Sequence, residues 1–517
     1  NLKMKKNHLI FKTDQIQAIE KKIFSAGIFS PQRLMELAAK SVIENLILTF
    51  GKPSALSIFC GRGNNGADGY LCSIISHEMG ITTTVIETQN DRNMAEYARL
   101  ARDKCKKNGI KLIPFNKDFC IDSGIIIDAL VGSGLRDIPR DETRDIIEFI
   151  NKQNAPIVSI DVPSGVTANS GHVHLIAVKA DLTICMIALK PGLTSGEAKN
   201  YCGKVIIEDF GIKVDDFADT HFGELLEIYG LLKLLPERRQ TAHKYNSGIC
   251  LVVGGDYGFG GAPIIASEGS MRVGAGLTRI VTRPAHVAAC LSRNPECLVN
   301  GVESIREAQQ FTKKVNAVVI GPGLGKSSWS EQMLKVFLEV NVPIILDADA
   351  LNLISDGNLG SLLRNKRTIL TPHSGEAARL LGCTTKEIDK DRFSTVRELQ
   401  KIYGGTVLLK GSGSLLCSDQ SDKVFVCPYG NPSLATAGSG DLLSGMIGGF
   451  ISQGLSENHS SVLGLLIHSF AANVARYEKL DRGMIATDLL GYVRRIINST
   501  EAVVPYDNFS NSGMKVG

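Results

Sequence analysis

The feature that most constrains this chain is a rhythm. Short apolar runs alternate with stretches of helical period, and many of the apolar runs end in a loop containing glycine. The first series reads SALSIFC (54–60), TTTVIET (82–88), GIIIDAL (124–130), APIVSID (155–161), DLTICMIA (181–188) and KVIIEDF (204–210). Helical stretches such as AEYARLARDKCKKNG (95–109) and ETRDIIEFINKQ (142–153) lie between them. The apolar runs lack strict alternation, which suits strands covered on both faces. Strand, helix, strand at this spacing predicts a parallel, helix-covered α/β sheet. Ahead of it, residues 14–49 carry apolar positions at helical spacing.

From about 213 to 245 the pattern weakens into mixed charge with a proline. A second series then begins: ICLVVGG (249–255), LTRIVT (277–282), AVVIGPG (317–323), PIILDADAL (343–351), TILTP (368–372), GTVLLKG (405–411) and SLLCS (414–418). Helical stretches fall between several of these, and three more (441–454, 460–479 and 487–498) close the chain. The length of 517 residues allows two to four domains at roughly 100 to 200 residues each, and the two series predict two α/β domains, 1–222 and 223–517. The 44% hydrophobic content can fill more than one core. No run approaches the ~18 apolar residues of a membrane span.

The balance of 57 basic against 53 acidic residues, scattered along the chain, is not that of a nucleic-acid binder. The 12 cysteines include no C-x-x-C pair, and Cys60, Cys185 and Cys250 sit inside apolar runs. That is the usage of a reducing compartment. His172 and His174 are the only closely spaced histidines and no cysteine cluster joins them, so zinc is not expected. The basic start NLKMKKNHLIFK lacks a following apolar segment, and a cytoplasmic protein is expected.

Glycine is in surplus, 52 of 517 residues or about 10% against a usual value of about 7%. In open α/β sheets ligands bind at the carboxyl ends of strands, where these glycines gather. CGRGNNGADG (60–69) matches a dinucleotide G-x-G-x-x-G at Gly61, Gly63 and Gly66. It reads equally as a tight strand-to-helix turn, but Asn64, Asn65 and Asp68 add groups able to hold a ribose or a cation. Asp128 and Asp161 each end an apolar strand. Such a carboxylate costs several kcal/mol to desolvate unless something pairs with it. A cation or a substrate is the natural compensation, with capping of a following helix as the plainer reading.

In the second half GGDYGFGGAP (254–263), GPGLG (321–325), LDADALN (346–352), TPHSGE (371–376) and LKGSGSLL (409–416) each follow a strand. NPSLATAGSGDLLSG (431–445) is the most specific. Small residues run into a helix expected to start at Asp441, and the exposed N–H groups there suit a phosphate. Asp441 beside them can act as a base or serve merely as an N-cap.

Together GRGNNGADG, DALVGSGL and DVPSG resemble the NAD(P)H-hydrate epimerase domain. GGAP, GPGLG, DADALN, TPHSGEAARLLG, KGSGS and NPSLATAGSGD resemble the ADP-dependent NAD(P)H-hydrate dehydratase domain. The resemblance spans nearly the whole chain. It implies a Rossmann-like three-layer domain followed by a ribokinase-like α/β domain. It implies that the first domain interconverts the R and S hydrates of NADH and NADPH at C6. The second would return the S form to NAD(P)H, hydrolysing ADP to AMP and phosphate, with Mg2+. Substrate contacts of the epimerase fall on Asn64, Asn65, Gly66, Ala67 and Asp68, on Gly132, Ser133, Gly134, Leu135, Arg136, Asp137 and Ile138, and on Asp161, the candidate acid/base. Asn65, Asp128 and Ser164 would hold a potassium ion, all offering oxygen as a hard cation wants. In the dehydratase, Ala262, Gly323, His373 and Asp441 would touch the hydrate, with Asp441 catalytic. Lys410, Gly411, Ser412, Gly413, Ser414 and Gly440 would cradle the nucleotide. The partners implied are small molecules, without nucleic acid or membrane, and a homo-oligomer is expected.

Ala67 stands where the family loop usually carries glycine, a methyl expected to narrow the approach to the ligand. HKYNSG (243–248) keeps the family's His-Lys start. The competing reading is a ribokinase-like kinase for a vitamin or sugar, fused to a non-catalytic Rossmann-like binding module. The GSGD segment fits both readings. The GPGLG, TPHSGE and KGSGS set and the polar trio favour the repair enzyme.

Overall fold

The computed structural model describes residues 8–88, 94–119, 121, 124–135, 138–237, 240, 241, 243–499 and 509–511. The described residues divide into two compact units, one of His8–Glu224 with Phe509–Asn511 and the other of Leu225–Ser499.

The first unit is built on parallel strands: β1 (Ala55–Cys60), β2 (Thr82–Glu87), β3 (Lys111–Pro114), β4 (Ile125–Ala129), β5 (Ile157–Ile160), β6 (Leu182–Met186) and β7 (Lys204–Glu208). Their order across the sheet is β3-β2-β1-β4-β5-β6-β7. A short strand, Phe509–Asn511, extends the β7 edge. Every residue of β4, β5 and β6 is buried, as expected of strands covered on both faces. The predicted helical segment 14–49 is two helices, Thr13–Ser25 and Pro31–Phe50. The second starts where it does for a local reason. The Ser30 hydroxyl accepts from Arg33 N at 3.1 Å and Pro31 takes the first helical position, where its missing N–H has no partner to lose. KLIP, the β3 strand, was not expected. It is a half-exposed edge of four residues, too short to give an apolar run.

Strand order reverses between β1 and β4. Cys60 pairs with Ala129 and Phe59 with Asp128, while Asp128 pairs with Ser159 on β5. The loops after three adjacent strands therefore leave the sheet side by side at a switch point, where α/β sheets bind ligands.

The second unit repeats the design with β8 (Ile249–Val253), β9 (Leu277–Thr282), β10 (Leu298–Gly301), β11 (Ala317–Ile320), β12 (Ile344–Leu346), β13 (Thr368–Leu370), β14 (Thr406–Leu409), β15 (Leu415–Ser418) and β16 (Ser421–Val426). The order runs β10-β9-β8-β11-β12-β13-β14-β15-β16. It is parallel as far as β14 and antiparallel from β14 to β16. KGSGS is thus the turn of a hairpin. Register brings Val253, Ile320, Leu346 and Leu370 into line across four strands, so Gly254, Gly321, Asp347 and Thr371 begin their loops in a row. DADALN, expected as a loop after the strand, opens the helix Asp349–Asp356.

The core of this unit is the buried pair of helices Ser439–Ser452 and Glu457–Tyr477 with the sheet beneath them. Glycine enters here for packing. A Cβ on Gly445 would stand 1.9 Å from Ala266 O, and one on Gly448 2.5 Å from Val319. The helices Gly261–Arg272 and Ser439–Ser452 therefore touch backbone to backbone. Part of the glycine surplus serves this contact and not the ligand loops. Among the described residues no helix is long and apolar enough to cross a membrane.

Candidate active sites

In the first unit a cavity of about 850 Å³ opens at the switch point, lined among others by Asn64, Asn65, Asp68, Gly132, Ser133, Gly134, Leu135, Ile138 and Asp161. Helix Asn64–Glu78 begins at the two asparagines, earlier than the Gly-rich loop suggested, with Gly63 as its N-cap. Asn64, Asn65 and Asp68 thus project from its first turns. Gly66 does not line the cavity. It lets the helix start sit on the β1 turn, since a Cβ there would lie 2.0 Å from Gly61 O. Ala67 is fully buried and outside the cavity lining. Its methyl therefore does not narrow the ligand's approach. Arg136 and Asp137 lie outside the described residues.

Asp161 follows β5 with φ 66°, a left-handed conformation that asparagine and aspartate tolerate best after glycine. Its Oδ1 accepts from Lys190 Nζ at 2.5 Å, and its Oδ2 accepts from Ser133 N at 3.3 Å. Lys190 is 3% exposed and also donates to Met186 O at 2.7 Å. Burial pushes the Asp161 carboxyl up, but the Lys190 ammonium together with the bonds from Ser133 and Met186 holds the group below its usual range. Asp68 moves the other way. Burial first, then the charges of Asp161 and Glu20, raise it well above the usual carboxylate range. Its Oδ1 is buried and finds no hydrogen-bond partner among the described residues. One cavity thus holds two carboxyls that their surroundings push in opposite directions, the arrangement that separates an acid from a base.

Asp128 is fully buried, and the chain itself compensates its charge. Its Oδ1 accepts from Ser164 Oγ (2.6 Å) and Leu130 N (3.2 Å), and its Oδ2 from Ser159 Oγ (2.8 Å) and Ser164 N (2.9 Å). Burial still raises its pKa, against the bonds from Ser164. Asn65 stands at the same strand ends, its Oδ1 2.9 Å from where a Cβ on Gly132 would be, with Asp161 Oδ2 at 3.4 Å from that point.

The second site gathers around Lys410. Its Nζ donates to Asp347 Oδ1 at 2.8 Å and lies 3.8 Å from Glu376 Oε2. A Cβ on Gly440 would stand 3.1 Å from that ammonium and 3.9 Å from Asp347 Oδ2. Helix Ser439–Ser452 starts two residues before Asp441, behind Gly438 in the left-handed region. Asp441 is therefore in the first turn and is not the N-cap. Burial, then the Asp347 charge, raise its carboxyl to about 7 against the pull of Lys410. His373 caps helix Ser374–Leu381: its Nδ1 accepts from Gly375 N (2.9 Å) and Glu376 N (3.3 Å), while His373 N donates to Glu376 Oε2 (2.8 Å). Burial lowers its pKa, so the imidazole is neutral at pH 7.

Ala262 and Gly323 adjoin: a Cβ on Gly323, at φ 57°, would lie 3.1 Å from that of Ala262. Gly325 N donates to Asp349 Oδ2 at 2.9 Å, tying GPGLG to DADALN. Gly411, Ser412, Gly413 and Ser414 form the β14–β15 turn, closed by Gly411 N donating to Ser414 Oγ at 3.1 Å. Arg392, 3% exposed, donates to Leu409 O (3.3 Å), Lys410 O (3.0 Å) and Ser374 Oγ (3.1 Å). It cross-links the turn to the His373 helix.

Lys190, Glu20, Asp347, Glu376 and Arg392 were not singled out from sequence. For Asp347 the signal existed, since it ends an apolar strand as Asp128 and Asp161 do. Lys190 is a lone cation between an apolar run and a proline. Glu20 and Arg392 occupy ordinary helical positions and carry no local signal.

Comparison with known proteins follows the same division. The family model for NAD(P)H-hydrate dehydratase matches residues 250–495, and that for the YjeF-related protein N-terminus matches residues 31–192. The chain is 38% identical over 494 residues to the bifunctional NAD(P)H-hydrate repair enzyme Nnr of Coxiella burnetii, covering 95% of this chain and 99% of that one. It is 34% identical over 516 residues to the Escherichia coli K12 protein of the same name, covering 98% and 99%. The Bacillus subtilis ADP/ATP-dependent NAD(P)H-hydrate dehydratase crystallised with ATP/Mg2+ is 27% identical with TM-score 0.47, covering 52% of this chain and 96% of that one. With both halves matched in order, and relatives aligned end to end, the chain belongs to the family of bifunctional NAD(P)H-hydrate repair enzymes.

Proposed function

We propose that this chain repairs hydrated NADH and NADPH, residues 1–222 epimerising the hydrates and residues 223–517 dehydrating the S form with ADP. The observation that carries the reading is the coexistence of two sites with different equipment. One is a cavity in which a buried lysine draws one carboxyl down and burial pushes a second one up. The other is a helix start flanked by a lysine and a carboxyl titrating near 7.

At C6 the hydrate carries both a hydroxyl and the ring nitrogen. Inversion follows if the hydroxyl proton leaves, the C6–N1 bond opens to an aldehyde and closes on the other face, and the proton returns. Asp161, kept ionised by Lys190, is suited to take and return that proton. Asn64, Asn65, Asp68, Gly132, Ser133, Gly134, Leu135 and Ile138 hold the hydrate against it. Asn65, Asp128 and Ser164 are suited to hold potassium. All offer oxygens, and Ser164 Oγ, 3.0 Å from Val131 O, can turn its proton there and leave Asp128 Oδ1 a free lone pair. A bound potassium supplies a fixed positive charge beside the substrate.

In the second site the S hydroxyl attacks the β-phosphorus of ADP. The bridging P–O bond breaks, AMP leaves, and the hydroxyl proton passes to Asp441. The new phosphate ester is a better leaving group than hydroxide. It departs with its C6–O electrons as C5 loses a proton, restoring the ring double bond. Lys410 and the N–H groups around Gly440 face the phosphates. Gly411, Ser412, Gly413 and Ser414 cradle the rest of the nucleotide, which arrives with Mg2+. Ala262, Gly323 and His373 position the hydrate.

The test is incubation of the protein with mixed hydrates and ADP, which restores the absorbance of the reduced nicotinamide. No restoration with ADP or ATP removes the assignment. Asp441→Ala abolishes dehydration and spares epimerisation; equal loss of both contradicts two separate sites.

A further inference from the structure

Asp347 ends β12 and is 1% exposed. Its Oδ1 accepts from Lys410 Nζ and from Thr371 Oγ1, both at 2.8 Å. Its Oδ2 is buried with no hydrogen-bond partner among the described residues, and it faces Gly440 at the start of helix Ser439–Ser452. A buried carboxylate with an idle oxygen is costly, and a purely structural ion pair would have engaged both. We propose that Asp347 is a positioning residue of the second site, fixing the Lys410 ammonium against Gly440 where the phosphates arrive and keeping a second negative charge beside Asp441.

The geometry supplies the anchor and puts Asp347 Oδ2 3.9 Å from where a Cβ on Gly440, the residue before Asp441, would stand. Lysine has a flexible stem and three rotatable donors, so its ammonium needs an anchor to stand at one place before the nucleotide binds. Asp347 Oδ1 is that anchor, and Glu376 at 3.8 Å is a weaker one. The charged groups acting on Asp441 come from four elements: Asp347 after β12, Lys410 after β14, Asp349 on the next helix and Glu376 on the His373 helix. Burial first, and then the Asp347 charge, raise the Asp441 carboxyl. His468, behind Ser439 at 3.3 Å, is pulled down by burial to about 4 and adds no charge at neutral pH. Ser444 donates its hydroxyl to Asp441 O at 3.0 Å.

The inference rests on the dehydratase reading of this site. A base titrating near 7 gives a dehydration rate that falls as pH drops below about 7. Asp347→Asn removes the like charge, so the acid limb moves to lower pH. The loss of the ammonium's anchor raises KM for ADP about tenfold or more. Asp347→Glu keeps the charge but displaces the ammonium; the acid limb stays near 7 and only KM for ADP rises. Epimerisation is measured alongside on the same preparations and stays at the wild-type rate. An Asp347→Asn enzyme whose acid limb does not move overturns the proposal, as does an Asp347→Glu enzyme with unchanged KM for ADP, which decides the matter if the amide variant fails to fold. Failure of the wild-type chain to restore any reduced nicotinamide would instead remove the underlying reading.

Discussion

Lys190→Met tests the most exposed assumption about the first site, that a buried ion pair sets the state of Asp161. The substitution keeps the apolar stem and deletes the ammonium. Asp161 Oδ1 loses its 2.5 Å donor and Met186 O its 2.7 Å donor, in a place where the lysine is 3% and the aspartate 13% exposed. Breaking a buried pair from one side costs about 3–5 kcal/mol, because the remaining charge is stranded. The expected loss of stability at pH 7 is therefore of that order, read from the urea midpoint of the first unit's transition. The pH dependence has a definite sign. The folded pKa of Asp161 is depressed, so its contribution is present above the unfolded aspartate value and lost as pH falls through the folded one. The folded pKa of Lys190 is raised, so its contribution is present below the unfolded lysine value and lost as pH rises through the folded one. The gap between wild type and variant is widest between these limits and narrows on either side. Asp161→Asn combined with Lys190→Met recovers most of the loss, since neither charge is left alone. A single variant costing under about 1 kcal/mol, the worth of an exposed pair, or a double variant no better than the single, would refute the reasoning.

Three further outcomes follow from the geometry. Ala67→Gly restores the usual family residue inside helix Asn64–Glu78 and destabilises it by about 1 kcal/mol, measured by thermal melting. It leaves KM for the hydrates unchanged, because the Ala67 methyl is outside the cavity. Gly66→Ala forces a Cβ to 2.0 Å from Gly61 O and abolishes epimerisation by displacing the helix start; near-normal turnover would mean the two backbones are not in contact. Replacing potassium by a large organic cation slows epimerisation and spares dehydration, and insensitivity of both rates removes Asn65, Asp128 and Ser164 as a cation site.

Both sheets were legible because a strand buried on two faces must be apolar throughout, and such runs are visible without an alignment. What escaped was short or edge-placed. KLIP at the β3 edge is half exposed, β10 (LVNG) has no fully buried residue, and β16 (SDKVFV) is mixed in burial. The helix start at Asn64 escaped because tandem asparagines after glycine read as a loop, whereas here the packing of Gly66 on Gly61 continues the helix into them. Among site residues, those ending strands stood out because charge after an apolar run is conspicuous. Their partners did not. Lys190 meets Asp161 from 29 positions away and Lys410 meets Asp347 from 63, and only the fold brings such groups together. The expectation that Asp128 and Asp161 lacked compensation within the chain was answered differently for each, by serine hydroxyls and backbone N–H groups for one and by a lysine for the other.

The central claim is that two separate sites in one chain act in sequence, and a single-epimer measurement tests it most directly. Purified R hydrate and purified S hydrate are each given to the wild-type chain, to Asp161→Asn and to Asp441→Ala, with ADP present. Wild type is expected to restore reduced nicotinamide from both epimers and Asp161→Asn promptly from S alone. Asp441→Ala should restore it from neither while still bringing R and S to equilibrium. Rapid restoration from R by Asp161→Asn, or failure of Asp441→Ala to equilibrate the epimers, would contradict that claim.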